Sequence, residues 1–184
     1  MKKIAIIILA VVALSCFSSC SIYNNMVDAR EGVRARFSTV DVQLQRRSDL
    51  IPNLVRTVQA YNVHERDLIE SVVNARARLG GVTSDEERIA AENQMSGALS
   101  RLLVVVENYP DLKADANFRQ LMDELSGTEN RISVARRDYN EAVRTYNSMI
   151  LRFPGNMIAD RYGFTSAAYF EAAPAAYVVP VVSF

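Results

Sequence analysis

The chain has 184 residues, 49% hydrophobic and 23% charged, with 21 basic side chains balancing 21 acidic ones. That length suits one domain plus a targeting segment, and the composition excludes bulk disorder. Zero net charge argues against a nucleic-acid binder driven by its overall field. Few glycines and prolines leave little punctuation, as long helices require. Lysine occurs only at Lys2, Lys3 and Lys113. The other cations are arginines, whose planar fork favours fixed carboxylate pairs; on a helix surface each such pair contributes under about 1 kcal/mol.

Met1-Lys2-Lys3 followed by Ile4 to Leu14 has the charged-then-apolar layout of a secretory signal. The apolar run is shorter than the roughly twenty residues a spanning helix needs. Both cysteines follow it. Phe17-Ser18-Ser19-Cys20 resembles a bacterial lipobox, with Phe17 where leucine is usual, and Ala13-Leu14-Ser15-Cys16 competes with it. The expectation is a signal over 1–19 and lipidation at Cys20, which would hold the protein at a membrane by its acyl chains. The alternatives are an uncleaved anchor helix, ordinary cleavage, and a Cys16–Cys20 disulfide. Residues 20–39 read as a tether and early helix, with Ile22, Met26, Val33 and Phe37 at helical spacing and Gly32 as its weak point.

From Val40 the pattern tightens. Val40, Leu44, Ile51, Leu54, Val58, Tyr61, Leu68, Val72, Ala75 and Leu79 recur at steps of three and four, one apolar seam on a long helix. Roughly forty residues make a rod about 60 Å long, which must hide its seam on other elements. Pro52 splits or kinks it, and a kink is the favoured reading because the spacing keeps its phase. Gly80-Gly81 ends the rod. Ser84 and Glu87 have capping-box spacing for a second helix, with Met95, Leu99, Leu102, Val106 and Tyr109 on its seam. Leu102 to Val106 is apolar all round, which predicts a central helix ended by Pro110.

A third helix begins near Asp115. Phe118, Leu121, Leu125, Ile132, Ala135, Tyr139, Ala142, Tyr146, Met149 and Phe153 keep heptad spacing, and Phe153-Pro154-Gly155-Asn156 ends it. Met157 to Phe164 folds back as one or two helical turns. The bundle thus covers 40–164 as an all-α, up-and-down arrangement of three long antiparallel helices, four if the first splits. Residues 165–184 form an irregular tail, laid along the bundle or disordered. Its β-prone end, Tyr177 to Phe184, could instead be captured by strand addition.

No catalytic constellation can be read. His64, the only histidine, has no companions for a zinc set, and there is no glycine-rich phosphate loop. The informative polar residues lie in phase with the seams: Arg47, Glu65, Glu92 and Thr128. A charge there must be paired to be buried. Antiparallel counting from Gly80-Gly81 sets Glu92 level with Val72 to Arg76, and counting from Pro110 sets it level with Thr128 to Arg131. Glu92, Thr128, Asn130 and Arg131 therefore form an expected buried polar layer, with Arg131, Arg76 or Asn130 as the partner of Glu92. Such a layer predicts that Glu92→Ala loses stability while Glu92→Leu folds normally. Arg46, Arg47, Asn53, Arg136 and Arg137 are candidate partner contacts, solvated helix face being the plainer reading.

These residues resemble the LemA family of bacterial envelope proteins. The resemblance rests on Val40-Asp-Val-Gln-Leu-Gln-Arg-Arg-Ser-Asp-Leu-Ile-Pro-Asn-Leu-Val55, Ala91-Glu-Asn-Gln94, Leu99-Ser-Arg-Leu-Leu103 and Glu107-Asn-Tyr-Pro-Asp-Leu-Lys-Ala114. Gly127-Thr-Glu-Asn-Arg-Ile132, Ala135-Arg-Arg137, Tyr139-Asn140, Tyr146-Asn147 and Phe153-Pro-Gly-Asn156 complete it. It implies an all-α domain held at the membrane of the bacterial envelope, outside the cytoplasm and on the periplasmic side in a Gram-negative cell. No enzymatic activity or cofactor is implied. The implied role is that of an adaptor, with a membrane zinc metallopeptidase as the partner the family's gene neighbourhoods point to; a self-associating scaffold or homo-oligomer is the alternative. Two departures stand out. Members commonly keep a spanning helix where this chain has a lipobox-like end. Asp160-Arg-Tyr-Gly-Phe164 is more polar than usual, and the proline common before Tyr169-Phe170 is absent.

Overall fold

The computed structural model describes residues 2–61, 65–82 and 84–171, and side chains throughout these except at 2, 5 and 7–18. His64, the Cys16 side chain and the β-prone peptide 177–184 lie outside the described residues. The described residues form six helices: α1 (Lys2–Ala60), α2 (Arg66–Leu79), α3 (Asp85–Val106), α4 (Pro110–Ala114), α5 (Ala116–Leu151) and α6 (Gly155–Tyr162). No strand occurs among the described residues. The chain divides into two compact units, one of residues 1–39 with 137–169 and one of 40–136 with 170–184. Both draw on α1 and α5.

The second unit holds the larger core. Ile51, Leu54, Val55 and Val58 of α1 meet Ile69, Val72 and Ala75 of α2, Met95, Leu99, Leu102 and Val106 of α3, Leu112 of α4, and Phe118 and Leu125 of α5. The α1 positions buried from Val40 to Val58 keep the three-four rhythm of the sequence. Pro52 lies within the helix without ending it. Its missing N–H leaves the carbonyl of Ser48, four residues back, without its helical donor, and Arg76 Nε of α2 donates to that oxygen at 3.1 Å.

The expected forty-residue rod does not form. It breaks after Ala60, with the Tyr61 N–H turned onto the Val58 carbonyl, and α2 restarts at Arg66. Tyr61 and Leu68 are seven apart, so the apolar phase passes across the break undisturbed. Glu65, expected in the seam, is exposed at the start of α2. Ser84 accepts from the Glu87 N–H at 3.2 Å and caps α3. The helix ends at Val106, and Pro110 opens α4 at its first turn, where a missing N–H costs nothing. The expected all-round burial of Leu102 to Val106 is corrected by Val104, which is 71% exposed. At the next start, Asp115 accepts from the Phe118 N–H at 2.8 Å and from the Tyr61 hydroxyl at 2.9 Å. These bonds hold its carboxyl below the ordinary range, the Phe118 N–H being the main cause.

In the first unit, Met26 and Val33 of α1 and Tyr139, Val143, Tyr146 and Ile150 of α5 are buried. The late α5 stripe departs from the expected heptad: Val143 and Ile150 take the places given to Ala142 and Met149. Thr128, Tyr139 and Ile150 are eleven apart, as are Ile132 and Val143, a spacing closer to the helix's own 3.6 residues per turn. Phe153, expected as the last seam residue, is 79% exposed. Gly155 is buried where α6 begins; a Cβ there would strike the Met149 carbonyl oxygen and the Met26 side chain. Gly163, at φ 72°, closes α6 in the left-handed region that suits glycine.

The following segment is extended and held by side chains. Tyr146 Oη donates to the Thr165 carbonyl at 2.8 Å and Tyr139 Oη to the Ala168 carbonyl at 2.8 Å. Between them Asn147 grips Ala167 twice, Nδ2 donating to its carbonyl at 3.0 Å and Oδ1 accepting from its N–H at 2.9 Å. Residues 165–169 of the tail thus lie along α5.

Candidate functional site

Within the second unit α1 and α3 run parallel, because the paired positions Asp41 with Arg88 and Arg47 with Glu92 advance together. α5 runs antiparallel to α1: Gln43 receives from Arg131, and Arg47 reaches Glu129. The heptad that places Val40 and Leu54 in the α1 seam places Arg47 between them, so a guanidinium enters the interior by register alone.

Arg47 is 1% exposed and Glu92 2% exposed. Arg47 Nη2 donates to Glu92 Oε2, and Nη1 donates to Ser96 Oγ at 2.9 Å and to Glu129 Oε1 at 2.8 Å. Ser96 in turn donates to the Glu92 carbonyl at 3.0 Å. One cation therefore serves two carboxylates on two helices. A pair this deep costs several kcal/mol in desolvation per ion, recovered only where geometry is good and remaining groups are hydrogen-bonded. Burial pushes the Glu92 carboxyl above its ordinary range, against the opposing pull of Arg47, Arg136 and Arg88.

Arg136 forms the other flank. Its guanidinium stacks over the Phe170 ring, 4.9 Å from the centroid, a cation–π contact. Burial and then the Arg47 charge lower its pKa, while Glu92 and Glu129 oppose this. The main-chain oxygen of Glu171, next in the chain, accepts from Asn93 Nδ2 at 3.4 Å.

The expected polar layer is thus redistributed. Glu92 and Thr128 are both buried, but they do not share a network. Thr128 donates to the Glu124 carbonyl at 2.8 Å and accepts from Arg131 Nη2 at 3.1 Å. Asn130 and Arg131 are exposed, and the partner of Glu92 is Arg47 rather than Arg131, Arg76 or Asn130. The reason is topological: counting from a turn finds only chain-adjacent helices, whereas α1 and α3 are separated by α2. Arg47 is also corrected as a partner contact, since its guanidinium is spent inside. Arg136 is half-buried. Arg46 and Asn53 are exposed, Asn53 accepting from Arg56 at 2.5 Å. Arg137 is exposed and pairs with Asp138 at 3.3 Å. Ser96 and Glu129 gave no comparable warning. Ser96 lies one turn after Glu92, and Glu129 is a half-buried neighbour of Thr128.

Among the described residues no cluster of three or more His, Cys, Asp or Glu side chains is placed to hold a metal ion. No helix among them is long and apolar enough to cross a membrane. Cys20 is exposed and unbridged.

Fold and cluster together define a class: an all-helical protein whose heptad-patterned helices are locked through a buried, shared guanidinium. The chain belongs to the LemA family, whose model matches residues 36–184. It is similar to Magnetosome protein MamQ 2 and Magnetosome protein MamQ 1 of Paramagnetospirillum magneticum. Each is 28% identical over 199 residues, covering 93% of this chain and 73% of the relative. It is also similar to Protein LemA of Metamycoplasma hominis, 23% identical over 150 residues that cover 81% of this chain and 68% of the relative.

Proposed function

We propose that this protein is a membrane-anchored, non-enzymatic component of the bacterial envelope that works by holding a protein partner. The observation that carries this reading is the continuity of α1, which runs without a break from the exposed Cys20 to Ala60. The interior polar groups, in turn, are committed to helix register. Lipidation at Cys20 is the proposed tether, an uncleaved N-terminal helix its alternative. Relatives named as magnetosome proteins support a membrane-associated role. The proposed partner is an envelope protein, a membrane zinc metallopeptidase being the one the family resemblance implies. Crosslinking in intact cells followed by mass spectrometry tests this: a reproducible envelope partner is expected, and only random neighbours would count against it. Palmitate labelling that is lost in Cys20→Ser supports the tether, and unchanged labelling removes it.

A self-associating scaffold is the second reading. A groove of about 600 Å³ between α2 and α3, lined by Leu68, Val104 and Val105 together with Glu65, Asp67 and Arg101, favours it. Light scattering of the full chain in detergent separates the two, a monomer counting against the scaffold.

A further inference from the structure

The lower end of the first unit carries apolar side chains that the fold does not use. α5 ends at Leu151, 69% exposed, followed by Phe153 at 79% and, in α6, Met157 at 64%. Arg152 and Arg161 are exposed beside them. The bend is fixed: Gly155 sits against Met149 and Met26 with no room for a side chain. Phe153 therefore faces water in a built corner and not at a frayed end.

This corner has a defined height along α1. Arg152, Phe153 and Gly155 share a cavity of about 440 Å³ with Ile22, Asn25 and Met26. Ile22 lies eight residues beyond Leu14, about 12 Å at the helical rise. The headgroup region adds roughly 5 to 8 Å on each side of the hydrocarbon. Acyl chains carried on Cys20 would begin two residues below Ile22, about 3 Å, whereas an uncleaved helix would leave the hydrocarbon near Leu14, about 12 Å below it. The Cys20 anchor therefore brings the corner to the bilayer surface.

We infer that the α5–α6 corner is a second membrane contact, with Leu151, Phe153 and Met157 entering the headgroup–acyl boundary of an anionic phospholipid bilayer and Arg152 and Arg161 meeting its phosphates. Aromatic and aliphatic tips with flanking arginines are the composition that partitions there. The inference rests on the membrane anchoring proposed above. It turns a single tether into a two-point seat that fixes how the first unit stands on the surface.

The chain has no tryptophan, so Phe153→Trp and, as control, Ala35→Trp each give the full chain one reporter. Ala35 lies thirteen residues beyond Ile22 on the same helix, about 20 Å higher. Both variants are reconstituted into phosphatidylglycerol–phosphatidylethanolamine vesicles containing lipid brominated just below the headgroup, and flotation is run on the same samples. Expected is that both float, that brominated lipid removes most of the Phe153→Trp emission, and that Ala35→Trp is unaffected. Flotation with a Phe153→Trp signal open to acrylamide and untouched by brominated lipid overturns the contact and leaves the anchor standing. Emission shielded from both quenchers means that protein, such as a second copy, covers the corner, and also overturns it. Failure of both variants to float removes anchor and contact together. Quenching equally strong in neutral phosphatidylcholine vesicles overturns the role given to Arg152 and Arg161.

Discussion

Two parts of this molecule bury polar side chains in helical seams, and they do it by opposite means. In the second unit a charged guanidinium, Arg47, is shared by Glu92 and Glu129 across three helices. In the first, neutral Tyr139, Tyr146 and Asn147 reach from one helix to the main chain of an extended segment. A buried charge tolerates few partners, so it selects one helix register, and removing one partner strands the other. Neutral donors on a backbone fix where a segment lies at smaller cost, and they are indifferent to that segment's side chains. The first device sets architecture; the second fastens a strap.

The sharpest way to break the comparison is to strip one partner from the charged layer. Glu92→Ala should cost about 3 to 5 kcal/mol in chemical denaturation, because Arg47 stays buried after losing its one fully buried carboxylate. Glu92→Leu should be comparably destabilising, contrary to the expectation drawn from sequence, since the stranded cation is the same. Replacing both members with apolar residues, as in Arg47→Met with Glu92→Leu, should return most of the loss.

The strap should respond less. Asn147→Ala removes both bonds to Ala167 and should cost about 1 to 3 kcal/mol, with hydrogen exchange speeding at the Ala167 amide while the second unit keeps its protection. Smaller again is the repair at Pro52. Arg76→Ala and Pro52→Ala should be non-additive by about 0.5 to 1 kcal/mol in a double-mutant cycle, because alanine at 52 returns the N–H that Ser48 lacks.

The smallest effect is in pH. Burial raises the Glu92 pKa above its ordinary 4.5, so the fold favours the protonated carboxyl. That contribution is full below 4.5 and is lost as pH rises through the higher folded-state value. The stability of wild type relative to Glu92→Gln should therefore increase as pH falls from neutrality towards 4.5, read from paired denaturation curves; a gap that narrows would reverse the sign.

Much of this was legible in the chain, and the exceptions have physical causes. The α1 seam from Val40 to Val58, the Ser84 cap and the α5 start at Asp115 follow directly from spacing and capping chemistry. The end of α1 at Ala60 was hidden because Tyr61 and Leu68 stay in phase across the boundary with α2. The late α5 stripe shifted because a helix of 3.6 residues per turn drifts from a seven-residue repeat. Arg47 and Glu92 were each visible as charges in a seam, yet their pairing joins helices that are not consecutive. Tyr139, Tyr146 and Asn147 stood out as motif residues, but their targets are main-chain atoms, which leave no mark in a sequence.

The most direct test of the central claim, that the buried cluster is a lock and the protein works by holding a partner, combines the Arg47→Met, Glu92→Leu variant with crosslinking in intact cells. The variant should fold and give the same crosslinked partners as the wild type. A folded variant that loses those partners would make the cluster part of the working surface and contradict the account.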